Sequence, residues 1–250
     1  MKFTQSLFLF ALLLITHLAC AQDRTTRKVS SFTKVQAGGS LNVVLEQGKG
    51  NNITIESKGI DQDKIKTEVK GETLHIYMER GNHSYNYATV YVTYQELEEI
   101  SNSGSGDLLC KSDLRAATFI FNNSGSGNAT CHGQLKAKKV SVDLSGSGNV
   151  ALNSLEAEEA DLSMSGSGNL KASSGMAKKL TVNKSGSGNL EAPALITDVC
   201  SVKMSGSGNV EIVANEVIEA GMSGSGNIQY RGNATVRKVH SSGSGEIIRN

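Results

Sequence analysis

One tetrapeptide restricts the possible folds of this chain more than any other feature. Ser-Gly-Ser-Gly occurs eight times, beginning at Ser103, Ser124, Ser145, Ser165, Ser185, Ser205, Ser223 and Ser242. The intervals between copies are 21, 21, 20, 20, 20, 18 and 19 residues. A spacing held that closely marks stacked repeats, each burying its apolar side against its neighbours. Copies run on into Asn and an aliphatic residue at Asn149-Val150, Asn169-Leu170, Asn189-Leu190, Asn209-Val210 and Asn227-Ile228.

The apolar residues around each copy alternate. Val140, Val142 and Leu144 are separated by Ser141 and Asp143, and the same parity continues through Gly146, Gly148, Val150 and Leu152. Leu162, Met164, Gly166, Gly168 and Leu170 repeat the pattern, as do Val202, Met204, Gly206, Gly208 and Val210. A period of two is the signature of a strand. It sets Gly146, Gly148, Gly166, Gly168, Gly186, Gly188, Gly206 and Gly208 on the inward side as structural glycines. Lys184 and Ser241 depart from the rule, being polar residues at inward parity. Glycine within a strand costs about 0.5–1 kcal/mol relative to alanine. Its recurrence therefore implies a geometric need, either a pinch with no room for a Cβ or a bend through positive φ.

Three short apolar clusters lie between successive copies, in one coil Val150 to Leu152, Leu155 to Ala157 and Ala160 to Met164. Leu155 to Ala160 has helical propensity but is too short to form a helix alone. The prediction is an all-β chain: a parallel β-helix (β-solenoid), three-sided, with right-handed crossovers and coils of about 20 residues. Residues 29–100 lack the repeat but alternate at Leu41, Val43 and Leu45, at Leu74, Ile76 and Met78, and at Val90, Val92 and Tyr94. Gly48-Lys49-Gly50-Asn51 and Lys70-Gly71-Glu72 read as turns. This segment is expected to form irregular first coils and a cap, with 101–250 as the repeat region.

Residues 1–21 read as a secretory signal peptide. Lys2 is followed by the apolar run from Leu7 to Ile15, and Ala19-Cys20-Ala21 offers the cleavage site. A minority reading makes Cys20 a lipidated N-terminus. No later run approaches the roughly 20 apolar residues of a membrane helix. Lys and Arg number 25 against 24 Asp and Glu, without a basic cluster, so nucleic acid is not an expected partner. Cys110 and Cys131 each fall seven residues after the start of their repeat, which stacks them on adjacent coils. Buried free thiols are expected there in preference to a disulfide.

At these residues the chain resembles the head GIN domain family (DUF2807), a group of adhesin-like exported proteins. The resemblance runs from about Val29 to the C-terminus. It is carried by Phe32-x-x-Val35, by Leu41-x-Val43-x-Leu45-x-Gln47-Gly48, by Leu74-x-Ile76 and Val90-x-Val92-x-Tyr94, and above all by the iterated SGSGN. It implies an envelope or surface β-helix of Bacteroidetes-like bacteria. The autotransporter label attached to the family is not expected to apply, since no C-terminal barrel strands follow the repeats.

The chemistry-bearing residues are sparse. Asp143 and Asp161 are the best carboxylate pair, expected on neighbouring coils, and a solvated face of mixed charge is the favoured reading of them. His75, His83, His132 and His240 fall at unrelated repeat positions, which gives a metal cluster or triad no support. SGSGN lacks the Asp of calcium-binding glycine-rich solenoids, and no Gly-Lys-Ser/Thr tail makes it a phosphate loop. No cofactor is expected. The outward Ser145, Ser147 and Asn149, Ser165, Ser167 and Asn169, and Ser185, Ser187 and Asn189 form the candidate ligand-binding ladder. The competing reading is that Ser and Asn are simply tolerated in tight bends, with stacked Asn stabilising the coils. The expected function is a non-enzymatic, exported binding module for a glycan or an envelope protein. A periplasmic carbohydrate-active enzyme and a self-associating envelope protein stay open as alternatives.

Overall fold

The computed structural model describes residues 23–81 and 84–250. The expected signal segment, Cys20 and His83 lie outside the described residues. Among the described residues every strand belongs to one continuous sheet of 19 strands that winds into a β-solenoid of about eight turns. In the repeat region each coil lies parallel to the next, in register. Val150 pairs with Leu170, Leu155 with Gly175, and Ala160 with Leu180. The three apolar clusters of a coil are three sides of the winding. Hydrogen bonding runs on around the corners, so Val150–Met164 and Leu190–Met204 are each a single bent strand of 15 residues. The Leu155 to Ala160 stretch is strand, because its backbone partners on both adjacent coils are already extended.

The alternation seen in the sequence sets the core. Val43, Leu108, Ala129, Val150, Leu170, Leu190, Val210, Ile228 and Ile247 succeed one another along one interior column. All but Ile247 are buried. Such columns fill the interior with like side chains on like, at the ~4.8 Å spacing of paired strands.

Coil order departs from chain order at the N-terminal end. Lys34–Ala37 and Asn42–Gln47 form a coil that is sandwiched between two later ones. On one side lie Glu99–Asn102 and Leu108–Cys110, on the other Thr73–Met78 and Tyr87–Tyr94, all parallel. Antiparallel strands then cover the outer edge. Ile65–Lys70 folds back on Thr73–Met78, Asn52–Lys58 lies on Tyr87–Tyr94, and Asp23–Lys28 lies on Asn52–Lys58. Arg27 ties two of these strands together, its guanidinium donating to Ile65 O (2.7 Å), Gln62 O (2.8 Å) and Thr67 Oγ1 (3.0 Å). A charged, antiparallel edge offers a poor template for further pairing.

The other end differs. Among the described residues, Thr235–Gly243 and Ile247–Arg249 are paired on one side alone. Val236 and Val239 are exposed there.

Candidate functional site

The SGSG steps stack into one column along the solenoid. Ser145, Ser147, Ser165, Ser167, Ser185 and Ser187 are all exposed, while Gly148, Gly168, Gly188 and Gly208 are buried and Gly146, Gly166, Gly186 and Gly206 half-buried. The need for glycine is close approach of one coil to the next, and positive φ is not involved at these eight positions. A Cβ on Gly186 would lie 1.8 Å from Gly166 O, and one on Gly166 would lie 1.9 Å from Gly146 O. The missing side chains thus point along the solenoid axis into the preceding backbone.

Polar residues at inward parity serve this same turn. Asn102 and Asn123 donate from Nδ2 to Gly106 O and Gly127 O, and Ser241 Oγ donates to Gly245 O. Lys184 is buried, and its Nζ donates to Gly186 O at 2.8 Å. Serine N–H groups bond the glycine carbonyl one coil back at Ser147–Gly125, Ser167–Gly146 and Ser187–Gly166. Among the described residues the series stops there, with no such bond from Ser207, Ser225 or Ser244, and Gly186 O accepts from the Lys184 ammonium. Burial pushes the Lys184 pKa down from 10.5. No carboxylate among the described residues lies within ion-pair distance of it.

The asparagines form a spine. Asn149 Oδ1 accepts the backbone N–H of Asn169 (2.9 Å), Asn169 Oδ1 that of Asn189 (2.8 Å), and Asn189 Oδ1 that of Asn209 (2.8 Å). The series begins at Asn42, passes through Asp107 and Asn128, and ends at Asn227, whose Oδ1 accepts from Glu246 N. The Asn members of the candidate ladder therefore hold the coils together. The serines differ: among the described residues, the hydroxyls of Ser145, Ser147, Ser165, Ser167, Ser185 and Ser187 make no hydrogen bond within the protein. They are free for a ligand.

A groove of about 620 Å³ runs along the axis beside the first serine of each step. One wall is Ser145, Ser165, Ser185, Ser205, Ser223 and Ser242; the other is Asp143, Ser163, Asn183, Lys203, Gly221 and His240. Of the serines that the repetition singles out, Ser145, Ser165 and Ser185 stand in this wall, while Ser147, Ser167 and Ser187 do not line the groove. The second wall is aligned coil by coil, but its residue types change, so no motif announces it.

The expected carboxylate pair is not brought together in one row. Asp143 aligns with Ser163 and Asp161 with Ser141, because Asp161 stands four residues before its repeat and Asp143 only two. Among the described residues no group of three or more His, Cys, Asp or Glu is placed to hold a metal ion. Cys110 and Cys131 are partners across adjacent coils, buried and free. Their mutual hydrogen bond holds the Cys110 thiol below its usual range and pushes that of Cys131 up. Tyr94 Oη lies 3.7 Å from Cys110 Sγ, and burial raises the phenol pKa. Cys200 is also buried and free, its pKa pushed up to about 12 by burial. These thiols are core residues, and none of them lines the serine-walled groove.

The family model described as "Putative auto-transporter adhesin, head GIN domain" (DUF2807) matches residues 31–129 and 119–234. The chain belongs to the head GIN domain family. The resemblance read from the SGSGN repeats and the strands before them is thus matched over most of the chain. Solved structures share the fold of this head GIN domain chain. A "putative adhesin" from Parabacteroides merdae is 17% identical with a TM-score of 0.83, over 92% of this chain and 96% of the other. A "putative lipid binding protein" from Parabacteroides distasonis is 25% identical with a TM-score of 0.84 over the same shares. A further "putative adhesin" from Parabacteroides distasonis is 20% identical, with a TM-score of 0.80 over 92% and 97%. No curated protein matches the chain.

Proposed function

We propose that this chain is an exported, non-catalytic binding module that holds an extended glycan along the serine-walled groove. The carrying observation is the row of exposed hydroxyls without partners inside the protein, repeated at the ~4.8 Å step of the coils. A hydroxyl both donates and accepts, which suits the alternating hydroxyls of a sugar chain. Adhesin-named structural neighbours support a binding role; the adjacent rows of mixed Ser, Asn and single charges supply no clustered acid–base pair for hydrolysis.

Lipid binding is the role named for one neighbour; here Leu144, Met164, Met204 and Met222 beneath the groove are each at most 3% exposed, and the walls carry the serine hydroxyls and the charged side chains. The test is a glycan array probed with residues 22–250 and with a variant carrying Ser145→Ala, Ser165→Ala, Ser185→Ala and Ser205→Ala. Selective binding by the parent, lost in a variant of nearly equal melting temperature, is the expected result. Equal binding by both proteins would remove the serine wall from the site, and no binding by folded protein would end the glycan reading.

A further inference from the structure

The second wall of the groove changes character along its length. Asp143 stands at one end, Ser163 and Asn183 follow, and Lys203, Gly221 and His240 occupy the last three coils. Lys203 and His240 are exposed, and among the described residues neither forms an ion pair. Asp143 by contrast accepts a hydrogen bond from Ser141 Oγ at 3.4 Å. The groove thus carries negative charge at one end and donors at the other.

Gly221 sits between the two donors, and its backbone gives no reason for glycine. It does not adopt positive φ, and an added Cβ would meet nothing nearer than Val202 O at 4.0 Å. The contrast with the SGSG glycines, where a Cβ would strike a carbonyl near 2 Å, is sharp. What the missing side chain does is leave a gap in the wall. Lys203 and His240 flank that gap two coils apart, about 10 Å between backbones at the strand spacing. Across the groove stand the hydroxyls of Ser205, Ser223 and Ser242. Glu219 lies two residues before Gly221 on the same strand and does not line the groove.

We propose that this gap is a carboxylate subsite, selecting glycans that end in a uronic or sialic acid. The inference rests on the glycan reading above and adds the ligand's class and orientation. The acid sits at Gly221, taking the Lys203 ammonium on one side, an imidazole N–H of His240 on the other and the Ser223 hydroxyl across the groove. Neutral sugars extend toward Asp143, which disfavours a polymer bearing acid on every residue.

Matched glycans, each acid-terminated and in its carboxyl-reduced form, provide the test on an array with residues 22–250. The acid form is expected to bind about 10- to 100-fold more tightly, the range of one or two hydrogen bonds to a charged group. That preference should vanish in Lys203→Gln/His240→Gln and in Gly221→Asp, where a Cβ has room. It should persist in Lys138→Gln/Lys178→Gln, which removes two lysines from another face of the solenoid. Equal binding of acid and reduced forms would overturn the subsite and leave the glycan reading intact. A preference that survives in the Lys203/His240 variant would also overturn it. Absence of binding to every glycan would overturn both.

Discussion

At the scale of single residues, two glycines of this chain do opposite things. Gly186 is required because a Cβ there would lie 1.8 Å from Gly166 O, inside the backbone of the preceding coil. Gly221 is flanked by open space. The same substitution should therefore separate them. Gly186→Ala is expected to cost about 3 kcal/mol or more, since neither backbone can yield without breaking the stack. Gly221→Ala should be neutral, or stabilising by about 0.4–1 kcal/mol through the unfolded chain. Denaturant unfolding of the two variants checks this, and equal effects would discard the close-approach account.

Columns of equivalent residues are the working element of the solenoid, and one of them runs from Asn102 and Asn123 through apolar residues and a lysine to Ser241. Leu144, Met164, Lys184, Met204 and Met222 occupy equivalent places on successive coils. Lys184 alone brings a charge inside, held by one carbonyl and no carboxylate among the described residues. Its folded pKa is lowered from 10.5 by burial, so the folded state binds the proton less well than the unfolded chain. Stability should then rise as pH climbs through the range just below 10.5, where the folded state has released a proton that the unfolded chain still holds. Below that range both states hold the proton and the cost of the buried charge is fully present. Lys184→Met should abolish that slope and raise Tm by about 2–4 °C, the shift produced by ~1 kcal/mol in a chain of this size. Thermal melts of both proteins between pH 7 and 10 decide it (~3 units, spanning the approach to the ordinary lysine pKa). An unchanged slope would mean that another group sets it.

For the whole molecule, stability is a sum over neighbouring coils, so its ends are its weak points. They are finished differently. Antiparallel strands and the Arg27 hydrogen bonds cover one end, while among the described residues Thr235–Gly243 and Ile247–Arg249 have a neighbour on one side only. Amide hydrogen exchange should be fastest from 235 to 249 and slowest in the coils from 140 to 204, which are flanked on both sides. Uniform protection along the chain would contradict this neighbour-by-neighbour account. The repeat region was legible because period-two alternation and a fixed 20-residue spacing are local properties that admit one kind of stack. The exposure of the serines and the burial of Val150 or Leu170 followed from parity alone. The glycine requirement was legible too, but its direction was not, since whether a Cβ would meet the interior or the coil below depends on how the strand rotates at the bend. Likewise the order of the N-terminal coils was hidden, because Lys34–Gln47 pairs with strands from 73–94 and 99–110, and no local pattern records which distant strand lies on which side. The groove's second wall was hidden for the same reason. Asp143, Lys203 and His240 resemble nothing as a motif, and only the stacking of coils makes them one row. The repeat by itself determined the solenoid, the alternation and the outward parity of the serines. Tertiary structure decided what those hydroxyls face, because a groove between two rows exists only once the coils are superposed.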